Sequence, residues 1–330
     1  MKKNIILLVL LSIILISCSN SKTTNEVPQI KATDTISVPT NSPIPPTQTY
    51  APIPTPLING PKIVFASHRG KNSQQTGLYI LNLETNEIKE LETGIEGTVL
   101  PKWSPDGSRV LFAVRDPWNL YIINEDGSGL TQLTDFSSNN GDWSPDGTKI
   151  VFQSDAQNEP KDTPDIYVID VNGENLTEIL DLPEVADFSP RWAAKSDQIM
   201  FLSDRTGHYE VFLMNADGSN VTQITDGGAS ITHASISPDG ERIAFVYPQG
   251  GQNTDLYTID KSGDVGTVIR LTSDATFDDN PCWSPDSSKI IFNSDRGGNM
   301  DLWMINADGS EPVQLTDDEE YDNYPDYWEP

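Results

Sequence analysis

From residue 61 onward the chain consists of short apolar runs separated by turn residues. One type is Lys149-Ile150-Val151-Phe152, with counterparts around Phe65, Phe112, Phe201, Phe245 and Phe292. A second is Ile166-Tyr167-Val168-Ile169, echoed by Leu78-Tyr79-Ile80-Leu81 and Leu302-Trp303-Met304-Ile305 among others. β-Branched and aromatic residues bounded by Asp-Gly and Ser-Gly pairs are strand signals, and no stretch sustains a helical period. The runs are apolar on successive residues rather than alternating, so the pattern predicts strands buried on both faces. Sheets stacked face to face around a ring provide that burial.

The runs repeat. Trp-Ser-Pro-Asp-Gly stands at 103–107 and again at 143–147, with variants at 236–240 and 283–287; Trp192 opens a degenerate copy and Trp328 a truncated one. These six landmarks are spaced 40, 49, 44, 47 and 45 residues apart, a mean of 45, which is the period of a four-stranded propeller blade. Residues 62–93 carry three strands of a blade without its first, and 324–328 carry a first strand without the rest. The expectation is an all-β, six-bladed propeller of four-stranded blades, closed by pairing of the C-terminal strand with the N-terminal blade. Such closure removes the open edge that invites aggregation.

The first residues call for a different reading. Lys2 and Lys3 precede an apolar stretch over 5–16 broken only by Ser12, short for a bilayer crossing of ~20 residues. It ends in Leu15-Ile16-Ser17-Cys18, which resembles the bacterial lipobox. The expected layout is a lipoprotein signal peptide over 1–17, then a Ser/Thr/Pro-rich linker over 18–60 anchored by lipid on Cys18, then the propeller over 61–330. This would place the protein outside the cytoplasm, held on the bacterial cell membrane or outer membrane by lipid alone. Cys282 is the only other cysteine, so a lipidated Cys18 leaves no internal disulfide.

Charge narrows the partners. The 330 residues include 21 Lys and Arg against 49 Asp and Glu, a net charge of −28. A nucleic-acid partner needs a basic footprint and is excluded; the acidic surface serves either solubility or the docking of a basic segment of a partner.

Recurrent Trp-Ser-Pro-Asp-Gly, Asn-Ala-Asp-Gly-Ser and Leu-Thr-Asp at this period resemble the TolB-like propeller, also called the WD40-like PD40 repeat, over essentially all of 61–330. The resemblance implies the fold and says little about activity. Relatives that are enzymes attach a hydrolase domain or hold a metal with several histidines. Here no Gly-x-Ser-x-Gly, His-Glu-x-x-His or Cys-x-x-Cys occurs, and the only histidines are His68, His208 and His233. His68 and His208 belong to blades three steps apart. His208 and His233 are on neighbouring blades, with Asp204 and Asp226 at hand, yet neither a metal site nor a cofactor is expected. The Asn-x-Asp-Gly segments read as hairpin turns rather than calcium loops, and Asp204-Arg205, Asp295-Arg296 and Arg69 as interblade pairs.

In a four-stranded meander, the loops joining strand two to three and strand four to the next blade share one face. Binding residues gather on such variable loops. Three residues before each landmark, where the chain enters the innermost strand, stand Leu100, Asn140, Ser189, His233 and Asn280, with Asn323 or Tyr324 last. Around them lie Asp278, Asp279, Asp318 and Asp322. The expected partner site is therefore the channel mouth: Asn140, His233, Asp278, Asp279, Asn280, Asp318, Asp322 and Asn323. The reading is a monomeric, non-enzymatic binding module of the cell envelope that engages a protein, peptide or glycan. The alternative is a hydrolase or lyase using His233 and nearby carboxylates.

The lipid anchor has a direct test. A single acyl chain binds membranes only marginally, whereas several hold firmly, so Cys18→Ser is expected to release the protein or leave an unprocessed precursor. A mature-sized Cys18→Ser product that fractionates with membranes like the parent would contradict it.

Overall fold

The computed structural model describes residues 60–69, 75–155, 163–182, 184–250, 253–274 and 276–330. Cys18, the signal peptide and the linker up to residue 59 lie outside the described residues. Among those described, 24 strands form six antiparallel sheets of four. The inner strands of the first to sixth blades are Asp322–Trp328, Thr98–Trp103, Asn139–Trp143, Asp187–Trp192, Ala234–Ile236 and Asp278–Trp283. The only described helix is a 3₁₀ turn at Val265–Thr267, and no described helix is long and apolar enough to cross a membrane.

The punctuation residues explain the turns. Ser104 Oγ accepts from Arg109 N at 2.9 Å and donates to Asp106 Oδ1, which also receives Ser108 N at 3.1 Å. The same circuit recurs at Ser144/Asp146, Ser237/Asp239 and Ser284/Asp286. Gly107 completes its turn at φ 68°, in the left-handed region. The Leu-Thr pairs end the outer strands. Thr134, Thr225, Thr272 and Thr316 accept, through Oγ1, from the backbone N of Leu120, Val211, Leu256 and Leu302 at 2.9–3.0 Å, and so replace a strand bond with a side chain.

The middle strands are buried on both faces as the apolar runs require; all six residues of Lys62–Ser67 are buried. Each blade sets an aromatic pair across strands two and three against the preceding blade. Phe65–Tyr79, Phe112–Tyr121, Phe152–Tyr167, Phe201–Phe212 and Phe245–Tyr257 have centroids 5.7–6.0 Å apart, and Phe292 faces Trp303 in register. Each fully buried side chain of this size contributes about 1.5–3 kcal/mol.

Closure is as expected: Asp322–Trp328 pairs antiparallel with Lys62–Ser67, from Lys62↔Trp328 to Ser67↔Asp322. One detail differs. Tyr327 faces Ile63 as Trp103 faces Val110, so Tyr327 rather than Trp328 is the sixth landmark. No Pro-Asp-Gly turn follows it, so the strand runs one residue further and Trp328 reaches the second blade. Its Nε1 donates to Pro105 O at 3.1 Å, and a Cβ on Gly107 would lie 2.2 Å from its ring. Between Trp103 and Trp328 sits the fully buried Lys62, whose Nζ is 4.3 and 4.5 Å from the two ring centroids, 2.8 Å from Glu125 Oε1 and 3.1 Å from Gly107 O.

Two predictions follow from this packing. Truncation after Tyr321 is expected to unfold or oligomerise the domain. Gly107→Ala, in a full-length chain, should cost at least about 1–3 kcal/mol from its backbone conformation alone. Unchanged monomeric melting in either variant would show that the seam is dispensable. The second prediction concerns pH. Hydroxyl and backbone donors hold Asp126, Asp146, Asp217, Asp286 and Asp308 below the usual carboxylate range, so their stabilisation is present above the unfolded value of 3.8 and is lost on further acidification. Burial, aided by Asp322 and Asp318, pushes Asp301 up to about 6 against hydrogen bonds from Gln314 and Thr316. The folded state then holds Asp301's proton more tightly, and its contribution falls as pH rises through 6. The melting temperature should peak between pH 3.8 and about 6. Asp301→Asn should reduce the loss between pH 5 and pH 7.5; an identical loss in that variant would remove Asp301 from the account.

Candidate functional site

The channel mouth is built by backbone strain. In five inner strands the pairing register shifts, and at the shift a non-glycine residue takes a left-handed φ of 50–55°: Leu100, Asn140, Ser189, Asn280 and Tyr324. Such a residue costs about 1–3 kcal/mol and persists only where its surroundings dictate it, and a bulge re-aims a side chain. His233 fills the sixth place, at the head of the short inner strand Ala234–Ile236, whose pairing shows no such shift. All six line one cavity around the axis, together with Pro101, Pro281 and Pro325. It is narrow, about 30 Å³ open to a water-sized sphere, room for about two waters.

Deeper in the channel lies a feature that the sequence reading missed. The residues two further along each strand are Asp326, Lys102, Asp142, Arg191, Ser235 and Cys282 in blade order, so four consecutive blades alternate acid and base. Lys102 Nζ donates to Asp326 Oδ1 at 2.7 Å, and Asp326 Oδ2 accepts from Trp103 N at 2.7 Å. Asp142 Oδ2 accepts from Trp192 N at 2.8 Å. Each aspartate thus ties its blade to the next. Burial works against the charge on Lys102, yet the combined attraction of Asp326, Cys282 and Asp142 holds it above its usual value. The girdle sets two acids against two bases, and burial pushes the Asp142 carboxyl up, so the channel interior is not the acidic surface that the net charge suggests. The signal for the girdle was the residue directly before each landmark, Tyr327 included.

The acidic residues assigned to the rim are placed differently from one another. Asp278 and Asp322 are fully buried rather than solvated. Arg296 Nη2 donates to both oxygens of Asp278 at 2.9 Å, and Arg69 to Asp322 and Asp318. Arg205 Nη2 donates to Oδ1 of Asp187 at 2.8 Å. The bonds to Asp278, Asp322 and Asp187 join the head of an inner strand to the loop after strand two of the same blade, whereas Arg69 to Asp318, and Arg296 to Asp274 at 3.3 Å, reach the loop leaving the outer strand of the preceding blade, so the expected interblade role holds for these two arginines in part. The guanidinium also covers an aromatic of its own blade: Arg69 over Phe65, Arg205 over Phe201, Arg296 over Phe292, at 5.2–5.6 Å. The physical reason is elementary, since a carboxylate under a closed blade edge must be countered or protonated.

Asn323 pairs with Ala66 in the closing strand, and Tyr324 takes the ring position. Asp279 is also buried and lies behind the mouth, with its Oδ1 2.6 Å from Nδ1 of the mouth residue His233, across the fifth and sixth blades. Asn140 Nδ2 donates to Gln153 Oε1 at 2.9 Å, which also receives Ser189 N at 2.8 Å. His68 packs edge-on against Tyr321 and His208 is exposed; the three histidines share no site. Among the described residues, one carboxylate group with metal-compatible spacing is Asp165, Glu178 and Asp181, which the sequence did not single out. Cys282 is buried beside Asp326, and burial pushes its thiol up to about 12, so it stays protonated and weakly nucleophilic.

Models of the TolB β-propeller domain (PD40) match residues 47–161, 156–254 and 234–329. The Tol-Pal system protein TolB of Francisella tularensis subsp. mediasiatica is 29% identical over 259 residues, covering 72% of this chain and 55% of that protein. The chain therefore spans about half the length of the curated relatives it matches. The crystal structure of TolB from Acinetobacter baumannii superposes with a TM-score of 0.67 at 19% identity, covering 81% of this chain and 66% of that one. An oligogalacturonate lyase in complex with manganese shares the fold at a TM-score of 0.54 and 18% identity, covering 78% and 74%. Repeat landmarks, six four-stranded blades and matches along the whole propeller agree: the chain belongs to the TolB β-propeller (PD40) family.

Proposed function

We propose that this protein is a non-enzymatic binding module of the bacterial cell envelope, tethered by lipid on Cys18 through the 18–60 linker and offering its channel mouth to a segment of an envelope protein or peptide. The observation that carries the reading is the ring of five left-handed residues. A rim fixed in strained conformations is preorganised, so little ordering is left to oppose binding. The side chains it presents, Asn140, Ser189, Asn280 and Tyr324 with His233 beside Asp279, are polar and of mixed character. They suit hydrogen bonding to the backbone or end of an extended segment more than capture of a bulky apolar group.

Likeness to a protein named for the Tol-Pal system supports an envelope setting. A catalytic reading gains less: the mouth couples His233 to Asp279 but sets no activated nucleophile beside them, and Cys282 is protonated. Asp278 and Asp322 act in this proposal through the loops they brace, and Asp318 with Arg69 through the same bracing; Asp279 acts by holding His233, while Asn140, His233 and Asn280 touch the partner.

Site-specific photocrosslinking in native envelopes tests the face. A crosslinker at Asn280 is expected to capture a discrete partner, and one at Asp308, on the face of tight turns, to capture none. Asn140→Ala combined with His233→Ala should weaken the captured contact about tenfold or more, a loss of about 1.4 kcal/mol. Capture from Asp308 and not from Asn280 would assign the functional face the other way.

A further inference from the structure

An arginine latch closes three of the six blades and is missing from the fifth, as it is from the second and third, where Thr98 and Ser138 stand in the aspartate's place. In the first, fourth and sixth blades an aspartate five residues before the landmark holds an arginine four residues after the strand-two phenylalanine. Arg205 Cζ lies 5.2 and 4.7 Å from the Phe201 and Phe212 centroids, and Arg296 Cζ 5.2 and 5.1 Å from those of Phe292 and Trp303. In the fifth blade Ile231 replaces the aspartate and Gln249 the arginine. The aromatic pair is nevertheless retained, with Phe245 and Tyr257 stacked at 5.7 Å and an interplanar angle of 22°.

Against this pair opens a cavity of about 440 Å³ between the fourth and fifth blades, within the usual range of ligand pockets. Phe245, Tyr247, Tyr257, Ile224 and Ile231 line it, and no Lys, Arg or His does. Its wall also holds Glu210, 2% exposed. That carboxylate accepts from Thr225 Oγ1 and from Gly228 N at 3.2 Å, and among the described residues no cation lies within ion-pair distance of it. Aromatic faces beside a buried carboxylate without a counter-charge are complementary to an organic cation. The other blades show which one: a planar guanidinium that stacks on the rings while it donates to a carboxylate.

We propose that this pocket binds the arginine side chain of a partner polypeptide, its guanidinium over Phe245 and Tyr257 and paired with Glu210. The site lies between two blades, apart from the channel mouth, and does not depend on the function assigned to that mouth.

The test titrates the full chain with N-acetyl-arginine amide and with its uncharged isostere N-acetyl-citrulline amide, followed by NMR or calorimetry. The arginine compound is expected to bind saturably and at least about tenfold more tightly than the citrulline compound. Glu210→Gln should weaken that binding about tenfold, and Gln249→Arg, which supplies the missing guanidinium from the blade itself, should abolish it without loss of thermal stability. Equal binding of the two compounds, no saturable binding up to about 10 mM, or arginine binding untouched by Gln249→Arg would each overturn the proposal. The first comparison uses the unmodified protein, so it decides even if Glu210→Gln fails to fold.

Discussion

A sheet whose middle strands are apolar on both faces cannot stand alone in water, and the need to cover both faces governs the whole molecule. Each blade is covered by its two neighbours, so no blade is stable until the ring is shut. The strand Asp322–Trp328 shuts it by pairing with Lys62–Ser67. That strand also carries the sixth ring residue, Tyr324, and the girdle residue Asp326. Closure and the channel are therefore one construction: the segment that seals the fold also completes the mouth.

The buried charges obey the same constraint. Covering both faces of a blade forces the heads of its strands out of water, and the carboxylates there must find donors. Asp187, Asp278 and Asp322 find arginines, Asp255 is met by Arg270 Nη2 at 2.5 Å, and Asp142 and Asp326 meet backbone N–H groups and the neighbouring cations of the girdle. A net charge of −28 thus overstates how acidic the working face is, because part of the acid is spent on internal bracing. The fifth blade has Ile231 and Gln249 where three other blades have the latch, and there a cavity opens against the aromatic pair.

The parts that were legible in the sequence are those fixed by local chemistry or by repetition. The Ser-Pro-Asp-Gly circuit is closed within a few residues, so its turns and the strands beside them can be read directly, and six copies give the blade number. The ring at the mouth was legible for the same reason, since register within a repeat is preserved. The buried state of Asp278 and Asp322 was not, because neighbouring acids such as Asp279 and Asp317 look alike until their partners are placed. Nor was the alternating girdle, which exists only when Asp326 from the end of the chain meets Lys102 near its beginning. The shift from Trp328 to Tyr327 had a readable cause in the missing turn, but the tryptophan was the louder signal.

Hydrogen exchange at the backbone amides of Asp322–Trp328 tests the central claim most directly. If this strand is what makes the ring a single cooperative unit, those amides should open only with the global unfolding of the propeller, as slowly as those of Arg109–Val114 or Lys289–Ser294. Exchange of the closing strand by local fraying, while Arg109–Val114 and Lys289–Ser294 remain protected, would show that the ring holds without it and would contradict the account.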